Sequence, residues 1–195
     1  MTPGNPTMNH SMASVLGLIY VVSELGLAFK KRAKESESRD SDRGSLALLW
    51  IVIVASVFLA FNIAYAFPAA AMGGGPALSF LGTAIFAAGL AIRWYSIVHL
   101  GRFFTVNVAI AMDHRLIDTG PYRFVRHPSY TGALMAFLGL ALCLANWASL
   151  PVMVVPVFLV FLRRVHVEEG ALLQALGSQY RDYMNRTKRL IPAVY

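Results

Sequence analysis

Four apolar stretches decide what this chain can be. A helix that crosses a bilayer takes roughly 20 apolar residues, and Ala13 to Phe29, Leu46 to Phe67 and Leu78 to Leu100 each reach or approach that length. The fourth, Thr131 to Leu162, is too long for one crossing: as a straight helix it would extend about 48 Å at 1.5 Å per residue, against a hydrocarbon core of about 30 Å. It has to fold back, and Asn146-Trp147-Ala148-Ser149-Leu150-Pro151 supplies the turn. Pro156 is expected to bend the second arm of that hairpin. With 57% hydrophobic and only 14% charged residues, and a mean hydropathy of +0.57, the chain lies outside the range of ordinary soluble domains. The expected architecture is all-α: a polytopic integral membrane protein of five transmembrane helices, with cytoplasmic amphipathic helices at the C-terminus.

Lys and Arg set the sidedness, because they stay on the cytoplasmic side of a membrane. All 17 fall in three groups, Lys30 to Arg43, Arg93 to Arg126 and Arg163 to Arg189. The connections Pro68 to Pro76 and Asn146 to Ser149 carry no charge. Five crossings with the N-terminus outside and the C-terminus in the cytoplasm accommodate every group; four would strand the C-terminal basic tail on the wrong side. The net charge of +7 does not mark a nucleic-acid binder, since apolar blocks separate the basic residues instead of a polar surface gathering them. The single cysteine, Cys143, sits in an apolar run and is read as a small core hydrophobe.

Three regions follow. Residues 1–12 read as an irregular tail without the basic stretch of a cleavable signal, residues 13–100 as three crossings, and residues 101–195 as the catalytic region. Residues 30–44 read as a charged, solvated connector. Glu24 and Arg93 lie inside apolar runs within reach of the cytoplasmic end and are read as snorkelling side chains.

Chemistry concentrates on the two segments that flank the hairpin, because the fold-back brings them out of the membrane side by side. In the first, Gly120-Pro121 makes a turn, and Pro128 forces His127 out of helical geometry while opening the next helix. Free amides at that helix start favour a carboxylate, and Tyr122, Arg126, His127 and Tyr130 offer donors around it. In the second, Arg163-Arg164-Val165-His166-Val167-Glu168-Glu169 ends the last crossing. An amphipathic helix pair follows, broken at Gly177 and capped by Ser178. Glu169 points by helical phase toward Leu172, Leu173 and Leu176; Glu168 is either a site residue or a solvated charge. The five histidines show no metal-ligand spacing, and no glycine-rich phosphate loop follows a strand.

Arg126-His127-Pro128-Ser129-Tyr130, then Glu168-Glu169, then Tyr180-Arg181-Asp182-Tyr183 and Arg189-Leu190-Ile191-Pro192 together resemble the isoprenylcysteine carboxyl methyltransferase family, in particular its short prokaryotic five-span members. The resemblance covers residues 95 to 195. It implies S-adenosylmethionine in a cytoplasmic cavity, a lipophilic or prenylated substrate arriving from the bilayer, and residence in a prokaryotic inner or cell membrane, with membrane lipids as neighbours and no metal. Carried onto this chain, Tyr122, His127 and Tyr130, with Arg126 beside them, would hold the cofactor's carboxylate. Leu116 and Ile117 would line its adenine pocket, Glu168 and Glu169 would bind its ribose hydroxyls or cationic end, and Arg186 or Arg189 would steer the substrate carboxylate. Glu169, Arg186 and Arg189 are thus the expected catalytic set.

Transfer of a methyl group from a sulfonium to a carboxylate merges opposite charges into neutral products, so a water-sheltered, aligned site suffices. A carboxylate is already ionised near neutrality and needs no general base. Three rivals remain: a phospholipid N-methyltransferase, which must deprotonate an ammonium group; an NADPH-dependent membrane reductase, whose extra phosphate the paired glutamates would repel but Arg163 and Arg164 would suit; and a non-catalytic membrane subunit.

Overall fold

The computed structural model describes residues 6–30, 40–104, 115–192 and 194. Six helices carry the fold: α1 (Pro6–Lys30), α2 (Asp40–Ala66), α3 (Gly75–Leu100), α4 (Pro128–Cys143), α5 (Ser149–Leu176) and α6 (Ser178–Arg186). Three helical stretches, Gly44–Ala66, Gly75–Phe103 and Ser149–Leu176, are long and apolar enough to cross a membrane, and two shorter apolar ones are Ser11–Leu27 and Pro128–Cys143. Most of the connector expected at residues 30–44 and most of the stretch from 105 to 114 lie outside the described residues.

The fold-back occurs where turn residues demand it. α4 ends at Cys143 and α5 begins at Ser149, with Ala145 at φ +49° between them. The Asn146 amide carbonyl accepts the amides of Ala148 and Ser149 at 3.0 and 3.1 Å, while its Nδ2 donates to the Phe67 carbonyl at 2.9 Å. Met72 N to Ala145 O (2.7 Å) and Trp147 N to Ala70 O (2.8 Å) complete the junction. The two uncharged connections of the sequence therefore meet at one end of the bundle.

Three expectations are corrected. Helix α1 starts at Pro6, so residues 6–12 continue it and form no irregular tail; a proline is tolerated in a first helical turn because that turn has no use for its missing N–H. Helix α5 does not stop at Arg163 but runs unbroken to Leu176, with Pro156 inside it. Between Val157 and Glu169 no Gly or Pro interrupts it, so the last crossing and the first amphipathic segment are one rod. Gly177, at φ +56°, occupies the cap position of α6, and Ser178 makes no capping hydrogen bond. A left-handed cap residue suits glycine at no steric cost.

Close packing of α3 on α4 sets the heart of the bundle. A β-carbon on Gly89 would sit 2.5 Å from the Gly132 carbonyl oxygen, and one on Gly132 would sit 2.5 Å from that of Gly89. Two turns away, Gly82 and Gly139 repeat the arrangement at 2.7 and 2.5 Å. Among lipid tails no hydrophobic drive pulls helices together, so small residues that let backbones touch replace it. α4 is only 16 residues long, about 24 Å at 1.5 Å per residue. It persists because most of it is buried against its neighbours. α2 packs along α5, and α1 leans on α3 and α4.

Gly132→Ala should therefore lower the thermal midpoint of the detergent-purified protein by an overpacking cost of about 1–3 kcal/mol. Gly26→Ala on α1, where a β-carbon meets nothing within 4 Å, should leave the midpoint unchanged or raise it. Equal midpoints for the two variants would remove the seam from the account.

Candidate functional site

The site begins at a turn that only glycine fits. Gly120 has φ +57°, and a β-carbon there would meet the His99 ring at 2.6 Å. The short turn Gly120–Arg123 that follows buries Tyr122, whose hydroxyl donates to the Ser96 carbonyl at 3.3 Å. Beyond it, residues 125–127 run alongside a C-terminal strap at residues 187–190. Val125 and Lys188 form a parallel bridge, Arg126 N donates to Lys188 O at 2.8 Å, and His127 N donates to Arg189 O at 3.0 Å. Thr131 Oγ1 adds a bond to Leu190 O at 2.7 Å. The amides of Tyr130 and Thr131 turn back to the His127 carbonyl. The helix start expected to offer free amides thus has the amides of His127, Tyr130 and Thr131 already engaged.

Adjacent residues on a helix point about 100° apart, and Glu168 and Glu169 accordingly do different things. Glu169 is buried, and its carboxylate accepts from Arg126 Nε at 2.7 Å, Arg189 Nε at 3.0 Å and His127 Nε2 at 3.4 Å. Arg126 also donates through Nη1 to the carbonyls of Met184 (3.2 Å) and Thr187. This knot joins α5, the start of α4 and the strap. Glu168 instead faces a cavity, its side chain 31% exposed, and accepts from the Tyr130 hydroxyl at 2.9 Å. His127 Nδ1 lies 3.7 Å from the same oxygen, and the His127 and Tyr130 rings stack at 5.6 Å.

That cavity encloses about 1320 Å³, part of it open to solvent. Its wall mixes two kinds of surface. Tyr122, His127, Tyr130 and Glu168 supply polar groups beside Leu116 and Ile117, and Leu27, Leu46, Leu49, Trp50, Ile53 and Phe161, from α1, α2 and α5, supply apolar ones; the Tyr130 and Phe161 rings meet at 5.1 Å. Arg126 also borders the space, as do Arg93, Glu24 and Arg164.

Snorkelling does not describe Glu24 and Arg93. Both are buried, and they form a two-pronged pair, Nε to Oε1 at 2.6 Å and Nη2 to Oε2 at 2.7 Å. Arg93 Nη1 reaches on to Ser129 Oγ at 3.1 Å, fixing the first turn of α4. Desolvation explains the pairing: an intramembrane charge is expensive unless a partner neutralises it. Arg164 is buried as well, only 2% exposed, whereas its neighbour Arg163 points outward. The sequence marks Arg164 only together with Arg163, whereas its spacing from Phe161 and Glu168 puts those three on one face of α5.

The remaining expected residues lie elsewhere. Arg186 Nη2 pairs with Asp118 Oδ2 at 2.5 Å in an exposed position, its guanidinium over the Tyr183 ring. Arg189 belongs to the Glu169 knot. Neither Arg186, Arg189 nor Glu169 is among the residues bordering the cavity. Two tyrosines that the expected site did not include do border it, Tyr180 and Tyr183 on the buried face of α6. Tyr183 donates to the Tyr122 carbonyl at 2.6 Å. Tyr180, 2% exposed, holds a buried hydroxyl with no hydrogen-bond partner, the one such side-chain atom among the described residues. Burial pushes the phenols of Tyr122, Tyr180 and Tyr183 above their ordinary range, and nearby Glu168 and Glu169 carboxylates push Tyr180 the same way. All three remain neutral hydroxyls.

Residues 78–179 match the phospholipid methyltransferase family. Protein-S-isoprenylcysteine O-methyltransferase B of Arabidopsis thaliana is 34% identical over 119 residues, 60% of this chain and 60% of that protein. The protein-S-isoprenylcysteine O-methyltransferase of Tribolium castaneum is 31% identical over 119 residues, 60% of this chain and 42% of that one. Among solved structures, the eukaryotic intramembrane Ras methyltransferase, isoprenylcysteine carboxyl methyltransferase, solved without a monobody, superposes with a TM-score of 0.61 at 31% identity. The match covers 74% of this chain and 52% of that one. The chain thus spans about 60% of the Arabidopsis relative and about half of the solved structure.

The two glutamates separate cleanly in an experiment. Glu169→Ala leaves buried Arg126 without its counter-charge and should cost about 3–5 kcal/mol, seen as a large drop in thermal midpoint and early proteolysis of the C-terminal strap. Glu168→Gln, on the cavity wall, should leave both readouts close to the parent protein. Comparable losses in the two variants would refute the division of roles.

Proposed function

Because this chain belongs to the phospholipid methyltransferase family, we propose that it is a membrane methyltransferase that uses S-adenosylmethionine to methylate the carboxylate of a lipophilic, isoprenylcysteine-like acceptor. The observation that carries this reading is one cavity whose wall combines polar groups, buried Arg93 and Arg164 among them, with a large set of apolar side chains. The relatives' names supply the acceptor class; the geometry supplies a place for it.

The donor set fits such a cofactor. Tyr122, Arg126, His127 and Tyr130 stand where its carboxylate would be held, Glu168 where an ammonium or hydroxyl donor would be held, and Leu116 and Ile117 provide an apolar wall for a purine. When bound, the sulfonium would supply an electrophilic methyl group to an oxygen of the acceptor and leave as a neutral thioether. The chain's residues contribute position and field: the apolar part of the wall holds the acceptor's tail, and Arg164 receives its carboxylate, while Arg93 stays paired with Glu24. Glu169, Arg126 and Arg189 hold the wall in place from behind.

Charge favours a carboxylate over an ammonium acceptor. Among the described residues that line the cavity are three arginines, Arg93, Arg126 and Arg164, and two glutamates, Glu24 and Glu168. An anionic acceptor is attracted into that field and a protonated amine repelled, in a site where solvent screens little. The same reading has five crossings, with the N-terminus outside and the cavity cytoplasmic. The uncharged connections meet at one end of the bundle, and the basic groups flank the other.

Calorimetry on the detergent-purified protein should give binding of S-adenosylhomocysteine and none of NADPH. Incubation with methyl-labelled cofactor and an N-acetylated S-farnesylcysteine should yield an alkali-labile methyl ester. Alkali-stable label on phosphatidylethanolamine would establish the N-methyltransferase instead, and no cofactor binding would establish a non-catalytic role. Arg164→Ala should raise the acceptor KM about 10- to 100-fold, the loss of a charge-assisted contact, with cofactor affinity within about twofold of the parent. Equal acceptor kinetics would remove Arg164 from the acceptor site.

A further inference from the structure

The hydroxyl of Tyr180 is an anomaly. Nearly all buried polar atoms in a folded protein are hydrogen-bonded, and one that is not calls for an explanation. Here the atom is shut off from solvent and has no partner, in a side chain 2% exposed that nonetheless forms part of the cavity wall. Leaving it so costs stability, about 1–3 kcal/mol for a neutral group. A phenylalanine would fill the same space without that cost.

Its place in the wall says which ligand is concerned. The cavity-facing residues of α5 run from Phe161 through Arg164, Glu168 and Leu172 to Leu176, about 22 Å along the helix axis. Tyr180 follows Leu176 after the Gly177 turn. Its ring packs edge-on against Tyr183 at 5.9 Å, and Tyr183 is bonded to Tyr122, one of the polar residues of the wall. Glu168 is an electrostatic neighbour of the Tyr180 hydroxyl.

Resting on the reading of the cavity as a methyltransferase site, we propose that Tyr180 is a cofactor-recognition residue whose hydroxyl finds its hydrogen-bond partner only in the nucleoside half of the bound cofactor. A ribose diol both donates and accepts, so a carboxylate acceptor such as Glu168 together with a neutral phenol donor such as Tyr180 suits it. α6 sits on a glycine turn at φ +56° and is fastened at its far end by the exposed Arg186–Asp118 pair. Arg126 Nη1 also holds that far end through the Met184 and Thr187 carbonyls, so the small adjustment that brings the hydroxyl to a ligand is one at the turn end of α6.

Tyr180→Phe tests this with a reversal of sign. Without ligand the variant should melt at or above the parent's midpoint, because the group removed has no partner to lose. With S-adenosylhomocysteine the order should invert, and calorimetry should show about tenfold weaker binding. 5′-Methylthioadenosine, which lacks the amino-acid end, should weaken by a similar factor, and the acceptor KM at saturating cofactor should stay within about twofold. A lower midpoint without ligand would mean that the hydroxyl has a structural partner. Unchanged affinity, loss confined to S-adenosylhomocysteine, or a change confined to acceptor KM would each overturn the assignment. If the parent protein itself bound no S-adenosylhomocysteine, the methyltransferase reading would fail first, so the two failures are distinguishable.

Discussion

One buried carboxylate organises the catalytic half of the chain. Glu169 collects donors from Arg126 and His127, which open α4, and from Arg189, which lies in the C-terminal strap. These are three stretches of chain with no other reason to converge. A carboxylate taken out of water is tolerated only when its lone pairs are used and its charge is matched, so convergence is imposed on the strap and on the His-Pro turn together. The backbone bonds of Arg126 and His127 to the strap then fix the wall on which Tyr122, His127, Tyr130 and Glu168 are displayed.

Behind that wall the bundle solves a different problem. A short helix that holds the first turn of the site must be kept at a defined depth, and the glycine seam between α3 and α4 does this by contact of backbones. The Arg93 side chain, on α3, reaches across the same interface to Ser129. Seam and ion pair act at different radii from the helix axis, one on backbone separation and one on rotation, so the start of α4 is fixed in both.

What was legible in the sequence follows from which forces are local. Apolar run length, the turn at Asn146 and the His-Pro helix start are local properties, and the structure carries all three. The pairing of distant charges is not local. Glu24 looked like a snorkelling acid because its partner is 69 positions away, and no periodicity in α1 announces Arg93. Arg163 and Arg164 are chemically identical in the sequence, and only the phase set by an unbroken α5 turns one outward and the other inward. Helical phase in the sequence puts Glu169 on the side of Leu172 and Leu176, but Glu168 is the one that shares the cavity wall with them. Tyr180 and Tyr183 lie on the buried face of α6, and which surface that face covers depends on the Gly177 turn.

The Arg93–Glu24 pair carries a consequence for biogenesis. Since α1 is made before α3, the Glu24 carboxylate enters the lipid phase, or waits at its edge, while its neutralising arginine is still unmade. Until then α1 has reason to sit high, and the arrival of α3 draws it to its final depth. A displacement of either helix by one turn, about 5.4 Å, would separate both charges in a medium that tolerates neither alone, so the pair acts as a key that admits a single insertion register.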